Sequence, residues 1–167
     1  MTPNDDKLRA IHEAIRAGWT GPPNFLELDL PAWYGHVLSD LLLLIDDDDI
    51  THTDGTADSA TAEEPHSAQI LVFTNQLVIA VDATMSEERK RTTTAYSRSD
   101  LTALTVRASR SALQDHFGSD GWPGQVHVKL AYDDERTYSL PLSGHSDYRK
   151  TERLVGFLPS LRRDLIA

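Results

Sequence analysis

Apolar residues near the start of the chain recur at helical spacing. Within residues 5–17, Leu8, Ile11 and Ile15 lie three or four positions apart, acidic residues occupy the first turn, and Gly18 follows the last one. Such spacing puts the apolar side chains on one face of a helix, while Gly is typical of a helix end. The pattern therefore predicts a short amphipathic helix over residues 5–17.

The stretch "FLELDLPAWYGHVLSDLLLLIDDDD" that follows fits two structures. Trp33, Val37 and Leu41 follow a four-residue helical step, whereas "LLLLI" is also typical of a buried strand. We expect a helix over about 31–39 that runs into a strand near 41–46.

From residue 69 the pattern changes to short strands. "QILVFT" and "LVIAVDA" flank the polar pair Asn75-Gln76, which suits a tight hairpin. "TTTAYS" and "DLTALTVRAS" continue the β pattern, and "GQVHVKLAY" alternates apolar and polar residues before "RTYSLPL" returns. The chain ends in helical spacing, with Ser146 or Asp147 as N-cap and a kink or restart expected at Pro159.

The charge is concentrated in one segment. The chain has a net charge of −10, and eight of its 26 acidic residues lie between Asp46 and Glu64, where there is no Lys or Arg. Residues 47–68 are rich in Asp, Thr, Ser and Ala and have little to bury, so we expect a mobile acidic loop there. Outside this segment the chain is nearly neutral and can present a local basic face.

The sequence shows no pattern for catalysis, metals or cofactors. It has no cysteine, its seven histidines are scattered, and it lacks the G-x-S-x-G turn and the glycine-rich phosphate loops. Its apolar runs are far shorter than a membrane span needs, and it lacks the pattern of a secretory signal. We expect a cytoplasmic protein that is not an enzyme and that holds no cofactor or metal.

Two groups of residues are candidates for binding. A basic cluster has the chemistry to hold an anion or an anionic lipid, although a solvated loop is the other interpretation: Arg89, Lys90, Arg91 and Arg98. An aromatic group is typical of a protein interface, although the favoured interpretation is that it covers one end of the fold: Trp19, Phe25, Trp33 and Tyr34. No basic stripe with interleaved aromatic residues is present, so nucleic acid is not expected as a partner.

The order of these elements resembles the pleckstrin-homology-like domains, especially their bacterial members, over about residues 69–165. The residues that carry the resemblance are "ILVFTNQLVIAV", "YSRSDLTALTV", "VHVKLAYDDERTYSLPL" and the final helical segment. It implies a bent, partly open antiparallel barrel of about seven strands with a C-terminal capping helix. For function it implies binding of phosphoinositides, peptides or other proteins rather than catalysis.

We therefore expect an α+β protein with an N-terminal helical extension over residues 1–40 and a barrel domain over residues 41–167. The expected function is a non-enzymatic binding or scaffolding module, with a protein partner favoured over anionic lipid. The alternative is a small acidic chaperone or adaptor for a secreted or unfolded client. The oligomeric state, which the sequence leaves open, distinguishes the two.

Overall fold

The structure is a computed structural model that describes residues 3–21, 30, 32–58, 67–84, 90–113 and 121–167. The chain divides into two compact units, which we call unit 1 (Met1–Arg98) and unit 2 (Ser99–Ala167). Within the described ranges, no helix is long and apolar enough to cross a membrane.

Unit 1 combines two helices with one sheet. The helices are α1 (Pro3–Gly18) and α2 (Ala32–Ile45), and the strands are β1 (Trp19–Thr20), β2 (Ile50–Asp58), β3 (Ser67–Thr74), β4 (Leu77–Thr84) and β5 (Arg91–Ser97). The strands lie in the order β1-β2-β3-β4-β5, with β1 parallel to β2 and the other pairs antiparallel. The predicted first helix and the hairpin around Asn75-Gln76 are confirmed.

The core of unit 1 lies between the helices and one face of the sheet. Alternate residues of β3 and β4 point to this face because side chains of a strand alternate between its two sides. The cluster includes Ile11, Ile15, Tyr34, Val37, Leu41, Ile70, Val72, Ile79 and Val81. Burial of side chains of this size stabilises the fold by about 1.5–3 kcal/mol each.

The strand predicted near residues 41–46 is wrong, because α2 continues as a helix to Ile45. Leu41 and Ile45 are buried with Val37 at four-residue spacing, while Leu43 is 84% exposed. That burial follows a helical period, and leucine is also a good helix former. The boundary suggested after residue 40 consequently falls inside α2.

The acidic loop predicted over residues 47–68 is wrong for its central part, where Ile50–Asp58 forms β2. The strand pairs with β3 along its length. Its backbone N–H and C=O groups that face β3 therefore have hydrogen-bond partners, although many of its side chains are polar. Thr53 is buried, and its hydroxyl donates a hydrogen bond of 2.5 Å to the carbonyl oxygen of Ala14 in α1. Residues 59–66 lie outside the described residues.

The described residues of unit 2 form three strands and one α-helix: β6 (Leu101–Ala108), β7 (Val126–Tyr132), β8 (Thr137–Leu140) and α3 (Tyr148–Asp164). The sheet is antiparallel in the order β6-β7-β8. The predicted alternation of β7 is confirmed, since Val126, Val128, Leu130 and Tyr132 are all buried.

The predicted terminal helix is also confirmed, and its start matches one of the two proposed N-caps. The Asp147 carboxylate accepts a hydrogen bond of 2.8 Å from the backbone N–H of Lys150. Helix α3 contains Pro159 in its interior and continues to Asp164 as one element. Leu154, Phe157 and Leu161 are its buried apolar residues.

The predicted α+β class is confirmed. The described strands lie in two sheets, one of five strands and one of three. The bent barrel of about seven strands stays a prediction.

Candidate binding sites

Arg91, one member of the predicted basic cluster, is held by an acidic residue of α2. Its Nε and Nη2 atoms donate to the two carboxylate oxygens of Asp40 at 2.9 and 3.1 Å, and the Thr93 hydroxyl also donates to Asp40 at 2.9 Å. The pKa of the Asp40 carboxyl lies below its usual value, and the hydrogen bond from Arg91 is the largest cause of this shift. This arrangement ties α2 to β5.

Arg98 is buried in unit 1 and hydrogen-bonds to neighbouring strands. Its side chain is 3% exposed, and Nη1 donates to the Thr74 carbonyl oxygen at 2.5 Å and to the Thr51 hydroxyl at 3.2 Å. A guanidinium so enclosed is not accessible to a lipid surface. Arg89 lies outside the described residues, and Lys90 and Arg91 are the described members of the predicted cluster that remain candidates for binding.

The predicted aromatic group is mostly part of the core. Tyr34 is fully buried, its hydroxyl oxygen lies 2.9 Å from Nδ1 of His12, and burial raises the pKa of the phenol. Trp33 is 8% exposed, and Trp19 is half-buried. The burial favours the interpretation that Trp33 and Tyr34 cover the core, and Phe25 lies outside the described residues.

A small pocket nevertheless brings the two predicted groups together. This α2 pocket has a volume of about 210 Å³ and lies between the start of α2 and the facing ends of β4 and β5. Its lining residues are Ala32, Trp33, His36, Ala83, Thr84, Lys90 and Arg91. The Lys90 carbonyl oxygen accepts a hydrogen bond of 2.8 Å from the Thr84 backbone N–H, which fixes this edge of the pocket.

A larger groove lies in unit 2, along the first half of α3. This α3 groove has a volume of about 890 Å³ and is formed by the end of β6, the turn before β7 and the start of α3. Its lining residues are Ser109, Arg110, Gly121, Trp122, Pro123, Gly124, Gln125, Ser146, Asp147, Tyr148, Thr151, Glu152 and Val155.

Hydrogen bonds fix the sheet wall of the α3 groove. The backbone N–H of Ser109 donates to the Gln125 carbonyl oxygen at 2.9 Å, and the Gln125 N–H donates to the Ser109 hydroxyl at 2.7 Å. The Arg110 N–H donates to the Pro123 carbonyl oxygen at 3.1 Å. Gly124 has a φ of +69°, and a side chain there would collide with Ser109 and Arg110, so this turn requires glycine.

The helix wall of the groove is fixed in the same way. Asp147 caps α3, and the Ser146 and Thr151 hydroxyls lie 2.6 Å apart with both residues buried. In contrast to this ordered frame, two large aromatic residues of the lining are exposed, Trp122 by 57% and Tyr148 by 80%. The groove is therefore bounded by fixed backbone and carries accessible rings.

The sequence analysis did not single out Trp122 as a candidate residue. A tryptophan between Gly121 and Pro123 was the available signal, because a turn gives a large ring little to pack against. Tyr148 has no comparable local signal, since its role depends on the tertiary position of α3. In the part of the chain that the structure describes, no group of three or more histidine or acidic residues could hold a metal ion.

Comparisons with known proteins give a likeness of fold. No family model and no curated protein matches the chain. One similar solved structure is a DUF1696-family protein with a pleckstrin-homology domain from Shewanella loihica, at 13% identity and a TM-score of 0.45, covering 78% of this chain and 92% of its own. Another is a pleckstrin homology domain from Shewanella amazonensis, at 15% identity and a TM-score of 0.41, covering 84% and 91%. Both carry the family name that the sequence resemblance indicated.

Proposed function

We propose that the protein is a non-enzymatic binding module, that its partner is another protein, and that the partner binds in the α3 groove. The observation that carries the proposal is the exposure of Trp122 and Tyr148 at a groove with fixed walls. Tryptophan, tyrosine and arginine are the residue types that contribute most to protein interfaces. The lining contains all three, since Arg110 lies on the sheet wall.

The groove also suits a peptide segment better than a small molecule. It is open to solvent along α3, and its lining mixes apolar rings with hydroxyl and carboxylate side chains. A groove whose walls are already hydrogen-bonded loses little freedom when a partner binds, which favours affinity. We expect the partner to insert an apolar side chain beside Trp122 and to hydrogen-bond with the polar residues around it.

The test is selection from a library of random peptides displayed on phage. Peptides are selected on the wild-type protein and counter-selected on the double variant Trp122→Ala, Tyr148→Ala. Circular dichroism checks that the variant folds. We expect it to fold, because both replaced side chains are exposed. Enrichment of peptides that bind the wild type and not the variant supports the proposal. If every enriched peptide binds both proteins equally, the groove is not the binding site.

A second candidate is an anionic lipid at the α2 pocket, favoured by the presence of Lys90 and Arg91 beside the cavity. Lys90 is the residue to change, because replacing Arg91 would also break its ion pair with Asp40 of α2. Co-sedimentation with anionic and neutral liposomes at low and moderate salt tests this proposal. Binding that requires anionic lipid and is weakened by Lys90→Ala supports it, and equal sedimentation with both liposomes contradicts it.

The alternative from another class stays a small acidic chaperone or adaptor for an unfolded client. Size-exclusion chromatography with light scattering separates the two proposals, because such chaperones commonly act as dimers and a single binding module can act as a monomer. We propose the cytoplasm as the compartment, as the cysteine-free composition suggested.

A further inference from the structure

Strand β6 lies at the margin of the three-stranded sheet and has a strand neighbour only on its β7 side among the described residues. Beyond Leu101 its side chains are exposed on both faces, apart from the half-buried Leu104. Val106, for example, is 47% exposed. Natural sheets usually protect such a margin with lysine, proline or a covering segment, because unpaired backbone groups attract another strand.

The hydrogen bonds of the sheet show which backbone groups of β6 point outward. The Ser109 N–H donates to Gln125, so it points toward β7. Because backbone groups alternate in direction along an antiparallel strand, those of Arg107 and Thr105 also point toward β7. The N–H and C=O groups of Leu104, Val106 and Ala108 therefore point away from β7, and we call this row the outer edge of β6.

The solvent face of this sheet carries positive charge and no acid. The strand register places Arg107 opposite His127 and Thr105 opposite Lys129. The other members of this face are small or hydroxyl residues: Ala103, Ala131, Thr137 and Ser139. Neither Arg107 nor Lys129 has an ion-pair partner within the described ranges. This basic face is a local exception in a chain with a net charge of −10.

The opposite face of β6 is apolar. Leu104 and Val106 lie opposite Leu130 and Val128 of β7, and Ala108 lies opposite Val126. An added strand beside β6 would continue both faces, since side chains of neighbouring strands alternate together. Its residues next to Arg107 would lie on the basic face, and its residues next to Val106 would lie on the apolar face.

We propose that the outer edge of β6 binds an extended segment of a partner protein in which acidic and apolar residues alternate. The backbone of the segment pairs with Leu104, Val106 and Ala108, and its acidic side chains lie beside Arg107 and Lys129. The proposal goes beyond the binding function at the α3 groove, because it rests on backbone pairing along β6, whose end borders that groove, and not on the exposed rings of Trp122 and Tyr148. A strand added to a sheet margin is a common mode of peptide recognition.

The charge of the basic face distinguishes between two possible partners for the outer edge of β6, a second copy of this chain and a segment of another protein. If a second copy of this chain paired through its own β6, the two basic faces would form one continuous surface, with arginine and lysine of both copies side by side. Like charges in neighbouring strands are unfavourable, whereas opposite charges stabilise the pairing. An acidic segment from another protein is therefore the better complement.

The test uses a fluorescently labelled seven-residue peptide that alternates glutamate and valine, at neutral pH and low salt. Two control peptides have the same length, one with lysine in place of glutamate and one with the glutamates grouped at one end. Fluorescence anisotropy with the full chain measures binding. We expect the glutamate–valine peptide to bind at least tenfold more tightly than either control peptide. Equal binding of the alternating and grouped peptides would contradict strand pairing.

Two variants locate the site. Val106→Pro removes one outward N–H and leaves the bonds to β7 intact, because proline is tolerated where a margin N–H faces solvent. We expect it to fold and to lose at least tenfold in affinity. Thr105→Pro is the check on direction, since it removes an N–H that points toward β7 and should lower the stability of the sheet. Unchanged affinity of folded Val106→Pro overturns the proposal.

A charge-reversed variant tests the basic face. The double variant Arg107→Glu, Lys129→Glu should bind the glutamate–valine peptide at least tenfold more weakly than the wild type does. It should bind the lysine–valine peptide more tightly. The matched control, Arg9→Glu with Arg162→Glu, makes the same change in net charge at exposed positions outside this face. If both double variants weaken binding equally, only net charge is responsible and the proposal fails. A dimer of the wild type that Val106→Pro dissociates would show that a second copy is the occupant.

Discussion

Replacement of Arg98 by alanine tests whether this residue is structural, as its burial and hydrogen bonds indicate, or an anion ligand, as its place in a basic cluster had suggested. The guanidinium is almost entirely enclosed in unit 1 and hydrogen-bonds to Thr74 and Thr51. Alanine removes both bonds. The change therefore acts on stability.

A minimum for the magnitude follows from these two acceptors. The bond to the Thr74 carbonyl links a charged donor to a buried acceptor and contributes about 1.5–3 kcal/mol, whereas the bond to the exposed Thr51 hydroxyl contributes about 0.5–1 kcal/mol. We expect Arg98→Ala to lower the free energy of unfolding by about 2–4 kcal/mol. Arg9→Ala, at an exposed position of α1, should change it by less than about 0.5 kcal/mol.

Tryptophan fluorescence during urea unfolding provides the assay. In a Trp122→Phe background the two remaining tryptophans, Trp19 and Trp33, both lie in unit 1, so the signal reports the unit that contains Arg98. A midpoint for Arg98→Ala equal to that of Arg9→Ala would refute the reasoning. Arg98 would then be energetically similar to a solvated arginine.

Two further predictions concern stability. Arg91 lowers the pKa of Asp40 below its ordinary 3.8, so the contribution of the carboxylate is complete above that value and is lost as the pH falls through the lowered pKa. Asp40→Asn should therefore lose less stability than the wild type between about pH 5 and pH 2, and parallel urea midpoints across this range would contradict the argument. Leu161→Ala should cost about 2–5 kcal/mol because Leu161 is fully buried on the inner side of α3, whereas Leu165→Ala, at the C-cap of the helix and 36% exposed, should cost less than about 1 kcal/mol by circular dichroism.

Much of the fold was predictable because local chemistry and packing agree. The β3–β4 hairpin combines apolar runs with a polar turn, β7 alternates strictly, and Asp147 is a standard N-cap before an amphipathic helix. Each of these patterns favours one type of element, although the N-cap of the helix was open between Ser146 and Asp147. The periodicity alone was therefore sufficient.

The errors occurred where tertiary contacts decide the structure. β2 has few apolar side chains, and it forms because β1 and β3 pair with its backbone on both sides and Thr53 bonds to α1. The leucine run in α2 fits both a helix and a strand until the position of the core is known. Local composition contains neither piece of information.

The candidate sites depended even more on tertiary structure. Two adjacent basic residues, Lys90 and Arg91, both line the α2 pocket, and Arg91 also binds Asp40 of α2. The α3 groove joins Trp122 and Tyr148, which lie in separate segments of the sequence. Its walls become visible only when β6, β7 and α3 are assembled.

The most direct test of the central claim is the dissociation constant of one phage-selected peptide, measured by calorimetry for the wild type and for Trp122→Ala. If the α3 groove binds a protein partner, loss of the exposed indole should weaken the peptide at least tenfold, about 1.4 kcal/mol, with the fold intact. An equal dissociation constant for both proteins would contradict the account and place the binding site elsewhere.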